Sequence, residues 1–530
     1  MVRIILTADR AIFTGFNGVD ALGFGLCLPY RLIPDIVEYK ILAPPLPVDK
    51  SGRALYAPYA LSKVEASLLA NGFNREDVAI VPPEYIKRVV DKDTEIIAVH
   101  VLDPQGLAPV SWTLRNLSGG GATCTQYEFD KLMADILDLK IKYKFKLIVG
   151  GPGAWQLREL IDKFGIDVLF EGEAELTFPL IVKRLLNNED TPRIVHGDPT
   201  PLDKIPIIST PSRSGLVQVT RGCPRRCKFC NPTMWIFRSI PLDDILTEVE
   251  INLKAGASQI GFITEDIMLY GANGLEFNED AIRKLFARVR LLADRYNVRS
   301  IGFSHVTMSS ALALKNIVEY ITDICGYNKC EPCFPQVGLE FGSPRIVAKY
   351  FNGKPYPWRA TDWPWIVIES SKLFNDNYWY PCYTYIIGFP DASPEDYIQT
   401  IELLEGLRNM DFKGWVFPLL LIPMGGSMID GKIEYTMLER LPEEAMDAIL
   451  IGWLHSIKFS KYIYKRVISN IKSPLVYTVI SRSIKYALNA MREWMCLIKK
   501  DPGIVMREFS RINIRSMKSL MPVVLKARPL

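Results

Sequence analysis

Histidine is scarce in this chain, with four residues among 530. The four are widely spaced, and none lies close in sequence to the cysteines discussed below, which weighs against a mixed cysteine–histidine zinc site. The chain also has no uninterrupted apolar run of about 18 residues, so we expect no transmembrane helix. Charged residues at positions 3, 9 and 10 interrupt the first apolar segment, and we therefore expect no secretory signal. The histidines are His100, His196, His305 and His455.

Cysteine is modest in number, at 10 residues, and the composition is otherwise that of an ordinary globular protein, with 48% hydrophobic and 23% charged residues. The length allows about three domains. The cysteine motif described next requires reduced thiols. We therefore expect the protein to act in a reducing cytoplasm, where disulfides are rare.

One short segment carries three cysteines, Cys223, Cys227 and Cys230, in C-x3-C-x2-C spacing. This spacing lets one loop present three thiolates to one face of a cubane iron–sulfur cluster. Clusters used only for electron transfer have all four irons ligated by protein, whereas three ligands leave one iron open to bind a substrate. Zinc or plain buried thiols are the alternatives, but no second cysteine pair follows at zinc-finger spacing. Cations that favour the thiolate form, and that also fit an ordinary solvated loop, are Arg225, Arg226 and Lys228.

The segment resembles the cysteine motif of the radical S-adenosylmethionine (SAM) enzymes, including the aromatic Phe229 just before the third cysteine. The resemblance implies a 4Fe-4S cluster on these cysteines, with the amino and carboxylate groups of SAM on the fourth iron. One electron then cleaves the sulfonium to a 5′-deoxyadenosyl radical, and a ferredoxin or flavodoxin-like electron donor is implied. The alternative outside enzymes is an iron–sulfur carrier or sensor that only binds SAM.

Residues 1–190 alternate strand-like and helix-like patterns, which predicts a doubly wound, Rossmann-like parallel sheet in an α/β protein. The order of its elements ahead of the cysteine motif resembles the cobalamin-binding domain of many radical SAM enzymes. That resemblance implies a cobalamin site at Gly150, Gly151 and Glu173, although a tight turn and a helix N-terminus explain these residues equally well. The Asp-x-His-x-x-Gly motif of many cobalamin proteins is absent, and His100 reads better as a strand-end residue. A domain that has lost its cofactor is therefore the alternative.

Residues 205–435 resume the alternation and resemble the partial (β/α)6 barrel of the radical SAM domain, whose chemistry lies at the carboxyl ends of the strands. The segment around Glu340 and Ser343 resembles the G-x-E-x-G-S strand of that family, which implies SAM contacts for both residues. An isolated acid on a central strand needs a partner, and a structural salt bridge is the alternative for Glu340. Ser393 and Asp396 predict a helix cap. With the cysteine-loop aromatic, the implied SAM-binding residues are Phe229, Glu265, Ser304, Glu340 and Ser343.

A second cysteine group, Cys325, Cys330 and Cys333, has C-x4-C-x2-C spacing, which matches the first part of a plant-type ferredoxin motif. We interpret it as a candidate auxiliary metal site that needs a further ligand. A disulfide or reduced thiols are the alternatives.

Residues 436–530 predict a basic helical region. Residues 456–530 contain 16 Lys and Arg against three acids, a net charge of +13, so the remainder of the +4 chain carries −9. A helical cap with its charged face in water explains this pattern. The alternative is a surface for an anionic partner such as membrane headgroups, tRNA or an acidic protein.

Together these resemblances imply a radical SAM enzyme of archaeal type that uses a 4Fe-4S cluster, SAM and cobalamin to methylate or otherwise modify an unactivated carbon of a small-molecule or lipid substrate. The alternative reaction is C–C coupling, ring formation or sulfur insertion with a degenerate cobalamin domain.

Overall fold

The computed structural model describes residues 2–18, 20–231, 236–468, 474–501, 503–504 and 508–515. The strands are β1 Ile4–Ala8, β2 Val78–Ile80, β3 Ile96–His100, β4 Lys146–Gly150, β5 Val168–Gly172, β6 Ile194–Gly197, β7 Leu216–Gln218, β8 Thr220–Arg221, β9 Arg238–Ser239, β10 Gln259–Ile263, β11 Ser300–Phe303, β12 Gln336–Glu340, β13 Cys382–Ile387 and β14 Trp415–Leu420. The α-helices are α1 Asp35–Val37, α2 Tyr59–Ala70, α3 Ile86–Val89, α4 Pro109–Leu117, α5 Cys124–Tyr143, α6 Thr177–Leu186, α7 Leu242–Lys254, α8 Glu279–Arg295, α9 Met308–Ala313, α10 Lys315–Cys325, α11 Pro344–Tyr350, α12 Trp363–Asp376, α13 Pro394–Asn409, α14 Glu443–Val467 and α15 Pro474–Lys500.

The first six strands form one parallel sheet in the order β2-β1-β3-β4-β5-β6. Successive residues of β1 enter opposite apolar layers: Ile4 and Leu6 pack in one and Ile5 in the other. Burial on both faces explains why the central strands read as continuous apolar runs. The predicted doubly wound sheet is confirmed. The order of the strands reverses direction between β1 and β3. Sheets of this type bind ligands at such a reversal, outside the carboxyl ends of the strands.

The strands of the second half form two three-stranded sheets, β11-β10-β7 and β12-β13-β14. A single bridge between His305 and Gln336 joins the edges of β11 and β12, and the Gln336 amide donates to the Ser304 carbonyl at 2.8 Å. The six strands thus follow one another in chain order, as the predicted partial barrel requires. The short antiparallel pair of β8 with β9 brackets the cysteine segment.

Two compact units make up the chain: residues 1–217, 240–260 and 510–530 form one, and residues 218–239 and 261–509 form the other. The predicted helical region at 436–530 contains α14 and α15, and both helices belong to the barrel unit. The physical reason is that α14 covers β14: the Ser456 hydroxyl bonds both the amide and the carbonyl of Val416, at 2.9 and 2.8 Å, and the Trp415 and Phe459 rings pack edge to face.

Among the described helices, none has the length and apolar character needed to span a bilayer. Parts of the predicted basic region, at 469–473, 502, 505–507 and 516–530, lie outside the described residues.

Candidate functional site

The three cysteines of the motif lie on the loop that follows β8, and their thiols interact with one another. The Cys230 thiol donates a hydrogen bond that lowers the pKa of Cys227, and the same bond raises the pKa of Cys230 well above its usual value. Burial raises the pKa of Cys223 to about 11, against an opposing effect of Arg225. The loop therefore brings the thiols of Cys227 and Cys230 into hydrogen-bond contact, with Cys223 close enough to interact electrostatically with Cys227.

Backbone hydrogen bonds attach the cysteine loop to two neighbouring segments. The Lys228 amide donates to the Tyr350 carbonyl at the end of α11 (2.9 Å), and the Lys228 carbonyl accepts from the Met428 amide (3.1 Å). The side chain of Phe229 lies between two buried rings, with centroid distances of 6.1 Å to Phe351 and 6.4 Å to Phe389. The predicted SAM-site aromatic thus forms an apolar wall beside Cys230.

A buried ion pair between Glu340 and Lys354 stands next to the cysteines. Both residues act electrostatically on Cys227 and Cys230. Burial pulls the pKa of Lys354 down, but Glu340 and Cys227 outweigh it, so the pKa is raised and the ammonium is retained.

The backbone of β12 is distorted where it delivers Glu340. Its register with β13 shifts between Gly338 and Glu340, and Glu340 has a φ of +64°, which L-residues rarely adopt. A side chain at Gly338 would collide with this pair, because a Cβ there would lie 1.9 Å from the Glu340 carboxylate and 2.2 Å from the Lys354 Nζ. Such irregular backbone costs about 1–3 kcal/mol and is concentrated at functional sites.

Arg225, between the first two cysteines, is buried rather than solvated. Its guanidinium donates to Asp266 at 3.0 Å, to Ser310, and to the carbonyls of Gly353 and Lys354 at 3.0 and 3.1 Å. The sequence alone suggested only that its charge offsets that of thiolates. Lys354 itself was missed, because a lone lysine in a short loop gives no sequence signal beyond ordinary solvent exposure.

The other predicted SAM-binding residues have structural partners. The Ser304 hydroxyl donates to the Thr264 carbonyl (2.7 Å) and accepts from its amide (3.0 Å). The Ser343 hydroxyl donates to Asp396 at 2.5 Å, and Asp396 also completes the predicted capping box with Ser393.

Glu265, also predicted to bind SAM, follows β10, and burial raises the pKa of its carboxyl against the opposing effect of His305. For Glu265, Ser304 and Ser343, SAM contact stays a prediction.

The predicted cobalamin residues are used within the first unit. A Cβ at Gly151, whose φ is +128°, would lie 2.4 Å from the Val101 carbonyl oxygen, so glycine is required by contact with the loop after β3. A Cβ at Gly150 would lie 3.1 Å from Phe170, which is a tight packing contact. Glu173 accepts from the Thr200 amide at 2.9 Å. These contacts explain the residues by packing, and their cobalamin role stays a prediction.

The second cysteine group gains no support as a metal site. Cys330 is exposed, and all three are free thiols, so no disulfide joins Cys325, Cys330 and Cys333. Burial raises the pKa of Cys325 to about 12 and that of Cys333 further, and both thiols interact with the Tyr327 hydroxyl. An auxiliary metal at these three cysteines stays a prediction.

Within the described residues, no three His, Cys, Asp or Glu side chains converge on a position for a single metal ion. A cubane cluster does not require such convergence, because each thiolate ligates a different iron. The donor set at Cys223, Cys227 and Cys230, three soft thiols beside two cations, fits an anionic iron–sulfur cluster.

Comparison with known families decides the nature of the second unit. Residues 217–404 match the model of the radical SAM superfamily. The chain contains a radical SAM domain. Such a domain implies a 4Fe-4S cluster and SAM, and the matched segment includes the cysteine loop, Glu340 and Lys354.

Curated relatives of this chain include the tRNA-2-methylthio-N(6)-dimethylallyladenosine synthase of Fusobacterium nucleatum, which is 25% identical over 53% of this chain and 63% of its own length. An uncharacterized methyltransferase of Pyrococcus horikoshii is 24% identical over 49% of this chain and 58% of its own. The chain spans about three fifths of the length of these relatives.

Among solved structures, the radical SAM methyltransferase TsrM of Kitasatospora setae, with cobalamin and a [4Fe-4S] cluster bound, is similar in fold. The TM-score is 0.53 at 14% identity, and the alignment covers 82% of this chain and 78% of TsrM. The similarity therefore extends beyond the radical SAM domain to most of the N-terminal half.

Proposed function

We propose that this protein reductively cleaves SAM at a 4Fe-4S cluster held by Cys223, Cys227 and Cys230. When bound, the cluster supplies one electron to the SAM sulfonium, and its open iron holds the SAM amino and carboxylate groups. The observation that carries the proposal is the placement of the three thiols beside the buried Glu340–Lys354 pair, within the segment that matches the radical SAM family.

The Glu340–Lys354 pair is complementary to the amino acid part of SAM. The Glu340 carboxylate can accept a hydrogen bond from the N–H of the SAM amino group, and the Lys354 ammonium can donate to the SAM carboxylate. Each residue can thus exchange its present partner for one group of SAM. The ion pair satisfies both charges in the absence of SAM, which buried charges require. Phe229, Phe351 and Phe389 exclude water from the adjoining side.

The test is anaerobic reconstitution with iron and sulfide, followed by reduction in the presence of SAM. The wild type is expected to hold about four irons per chain and to release 5′-deoxyadenosine. A Cys223/Cys227/Cys230 triple Ala variant is expected to lose both. A non-catalytic iron–sulfur protein would retain iron and release no 5′-deoxyadenosine, which would refute the proposal.

For the whole protein we propose cobalamin as a second cofactor and methylation of an unactivated carbon as the reaction. Support comes from the parallel sheet of the first unit, with its order reversal between β1 and β3, and from the fold similarity to a cobalamin-bound methyltransferase. The support is at the level of fold, since Gly150, Gly151 and Glu173 have packing roles. Incubation with hydroxocobalamin, gel filtration and a visible spectrum test it, and a corrinoid-free protein would contradict it.

Sulfur insertion is the second candidate reaction, because several curated relatives are methylthiotransferases. If a second cluster supplies the inserted sulfur, the number of irons per chain distinguishes sulfur insertion from methylation. Iron remaining in the triple Ala variant would indicate a second cluster and favour sulfur insertion. Loss of all iron together with corrinoid binding would favour methylation.

For the electron donor we propose a small acidic redox protein that approaches the cysteine loop. Arg226 and Lys228 of this loop are exposed, and neither forms an ion pair with a described residue. Exposed cations near the cluster ligands accelerate encounter with an acidic partner. Because cluster ligation requires reduced cysteines, we propose that the reaction takes place in the reducing cytoplasm.

A further inference from the structure

Arg225 is a charged side chain buried within the cysteine loop, with 4% of its surface exposed. Four hydrogen bonds use its two terminal nitrogens. Its immediate neighbour, Arg226, is exposed. The two arginines of one motif therefore differ completely in environment.

The acceptors of Arg225 belong to parts of the barrel unit that are distant in sequence. One nitrogen donates to the carbonyls of Gly353 and Lys354, at 3.0 and 3.1 Å. The other donates to Asp266, after β10, and to Ser310 of α9. The guanidinium thus ties the segment between Cys223 and Cys227 to the segment that carries Lys354.

The contact between these two segments is close in the backbone as well. A Cβ at Gly353 would lie 2.4 Å from the Arg225 carbonyl oxygen, so only glycine allows the approach. The Lys354 carbonyl also accepts from the Ser309 hydroxyl at 2.5 Å. Lys354 is therefore held through its own carbonyl, while its ammonium lies against Glu340 beside Cys227 and Cys230.

Asp266 compensates the charge of the buried Arg225 guanidinium and fixes its orientation. Its carboxylate accepts from Arg225, from the Ser310 hydroxyl at 2.6 Å, and from the amides of Met268 and Thr307, both at 3.2 Å. An aspartate fixed by four donors cannot shift to follow a displaced partner. A planar guanidinium with several donors suits this geometry, whereas a lysine ammonium on a flexible stem does not.

We propose that Arg225 is a positioning residue that couples the cysteine loop to Lys354 and thereby sets the affinity for SAM. The inference rests on the proposed function of the site. Arg225 donates hydrogen bonds to the Gly353 and Lys354 carbonyls, and its charge also acts on Cys223 and Cys227. Arg225→Lys keeps that charge and removes the planar guanidinium that holds the Lys354 segment. Its loss is expected to weaken SAM binding while the cluster stays in place.

The experiment compares Arg225→Met and Arg225→Lys with Arg226→Met, which removes an exposed cation from the same loop. Each reconstituted protein is measured for iron per chain, for SAM dissociation constant by equilibrium filtration, and for the change in the electron paramagnetic resonance spectrum of the reduced cluster on SAM addition. We expect wild-type iron in all three. We expect SAM affinity at least tenfold weaker in both Arg225 variants, with the spectral change shifted to higher SAM, and wild-type values for Arg226→Met.

A double-mutant cycle with Lys354→Met separates positioning from general destabilisation. If Arg225 acts through Lys354, Arg225→Lys adds less than twofold to the weakening already caused by Lys354→Met. Unchanged SAM affinity in the Arg225 variants, loss of iron specific to them, or fully additive losses would overturn the proposal. Failure of the proposed function itself is distinct, because the wild type would then hold no cluster or release no 5′-deoxyadenosine.

Discussion

Replacing Lys354 with methionine tests whether the ion pair with Glu340 is as strongly buried as the structure shows. The side chains are only 10% and 9% exposed. Methionine keeps most of the apolar volume of lysine and removes the charge, so Glu340 is left buried without its ion-pair partner. Removing one member of a buried pair costs about 3–5 kcal/mol, since the remaining charge is neither solvated nor compensated.

The matched control is Lys349→Met. Lys349 also pairs with an acid, Asp391, but the two side chains are 49% and 37% exposed. Exposed pairs contribute about 0–1 kcal/mol. The two lysines lie five positions apart in the same unit, so the comparison isolates burial.

Urea unfolding of the metal-free, reduced protein measures both variants. The buried Trp363 and Trp379 lie in the same compact unit as the pair and report on its unfolding by fluorescence. We expect Lys354→Met to lower the free energy of unfolding by at least about 2 kcal/mol more than Lys349→Met. Adding Glu340→Gln to Lys354→Met should restore much of the loss, because no buried charge then remains. Equal losses in the two lysine variants would refute the reasoning.

Two further predictions concern the first unit. Burial and Glu128 raise the pKa of Asp9 to about 7. The protonated Asp9 therefore contributes fully to the free energy of unfolding below about pH 4. This contribution, up to ~4 kcal/mol, is lost as the pH rises through about 7. Asp9→Asn should flatten this fall in unfolding titrations at several pH values, and an unchanged slope would contradict the assignment. Arg515→Met should destabilise the unit by about 3–5 kcal/mol in thermal or urea unfolding, because it leaves the fully buried Glu38 without its ion-pair partner. The control is Arg511→Met, which removes an exposed arginine. Equal effects of the two substitutions would contradict the prediction.

Strands with apolar residues on both faces could be located from sequence to within one or two residues. The apolar runs at 96–99 and 147–149 lie within β3 and β4, whose residues alternate between two hydrophobic layers. β6 was not predicted. Its first residue, Ile194, is exposed and His196 points to solvent at the sheet edge, so the periodic signal is weak.

The candidate site was predictable only where one segment supplies it. The three cysteines lie within eight consecutive residues, and their spacing alone identified them. Ser343, by contrast, was expected to contact SAM, and the structure gives its hydroxyl to Asp396, which lies 53 residues away. A local sequence pattern cannot predict a hydrogen bond between two side chains that meet only through the packing of distant segments of the barrel.

Lys354 and Arg225 show the same limit more sharply. Each is a single charge in a short loop, and sequence offers solvent exposure as the ordinary explanation for both. Their burial follows from two glycines, Gly338 and Gly353, whose missing side chains allow the loops to meet. A glycine that leaves space for a buried charged residue elsewhere in the chain cannot be recognised from either residue alone.

The charges around the cysteines are arranged in matched pairs, which bears on how the site accepts an anionic cluster. Arg225 is balanced by Asp266 and Lys354 by Glu340, so both buried cations beside the cysteines are compensated in the metal-free protein. Of the four groups, the two cations both lower the pKa of Cys227, while only Glu340 raises it. The local field at Cys227 therefore favours the thiolate that metal binding requires, and the counter-charges keep the folded protein stable before the cluster is inserted.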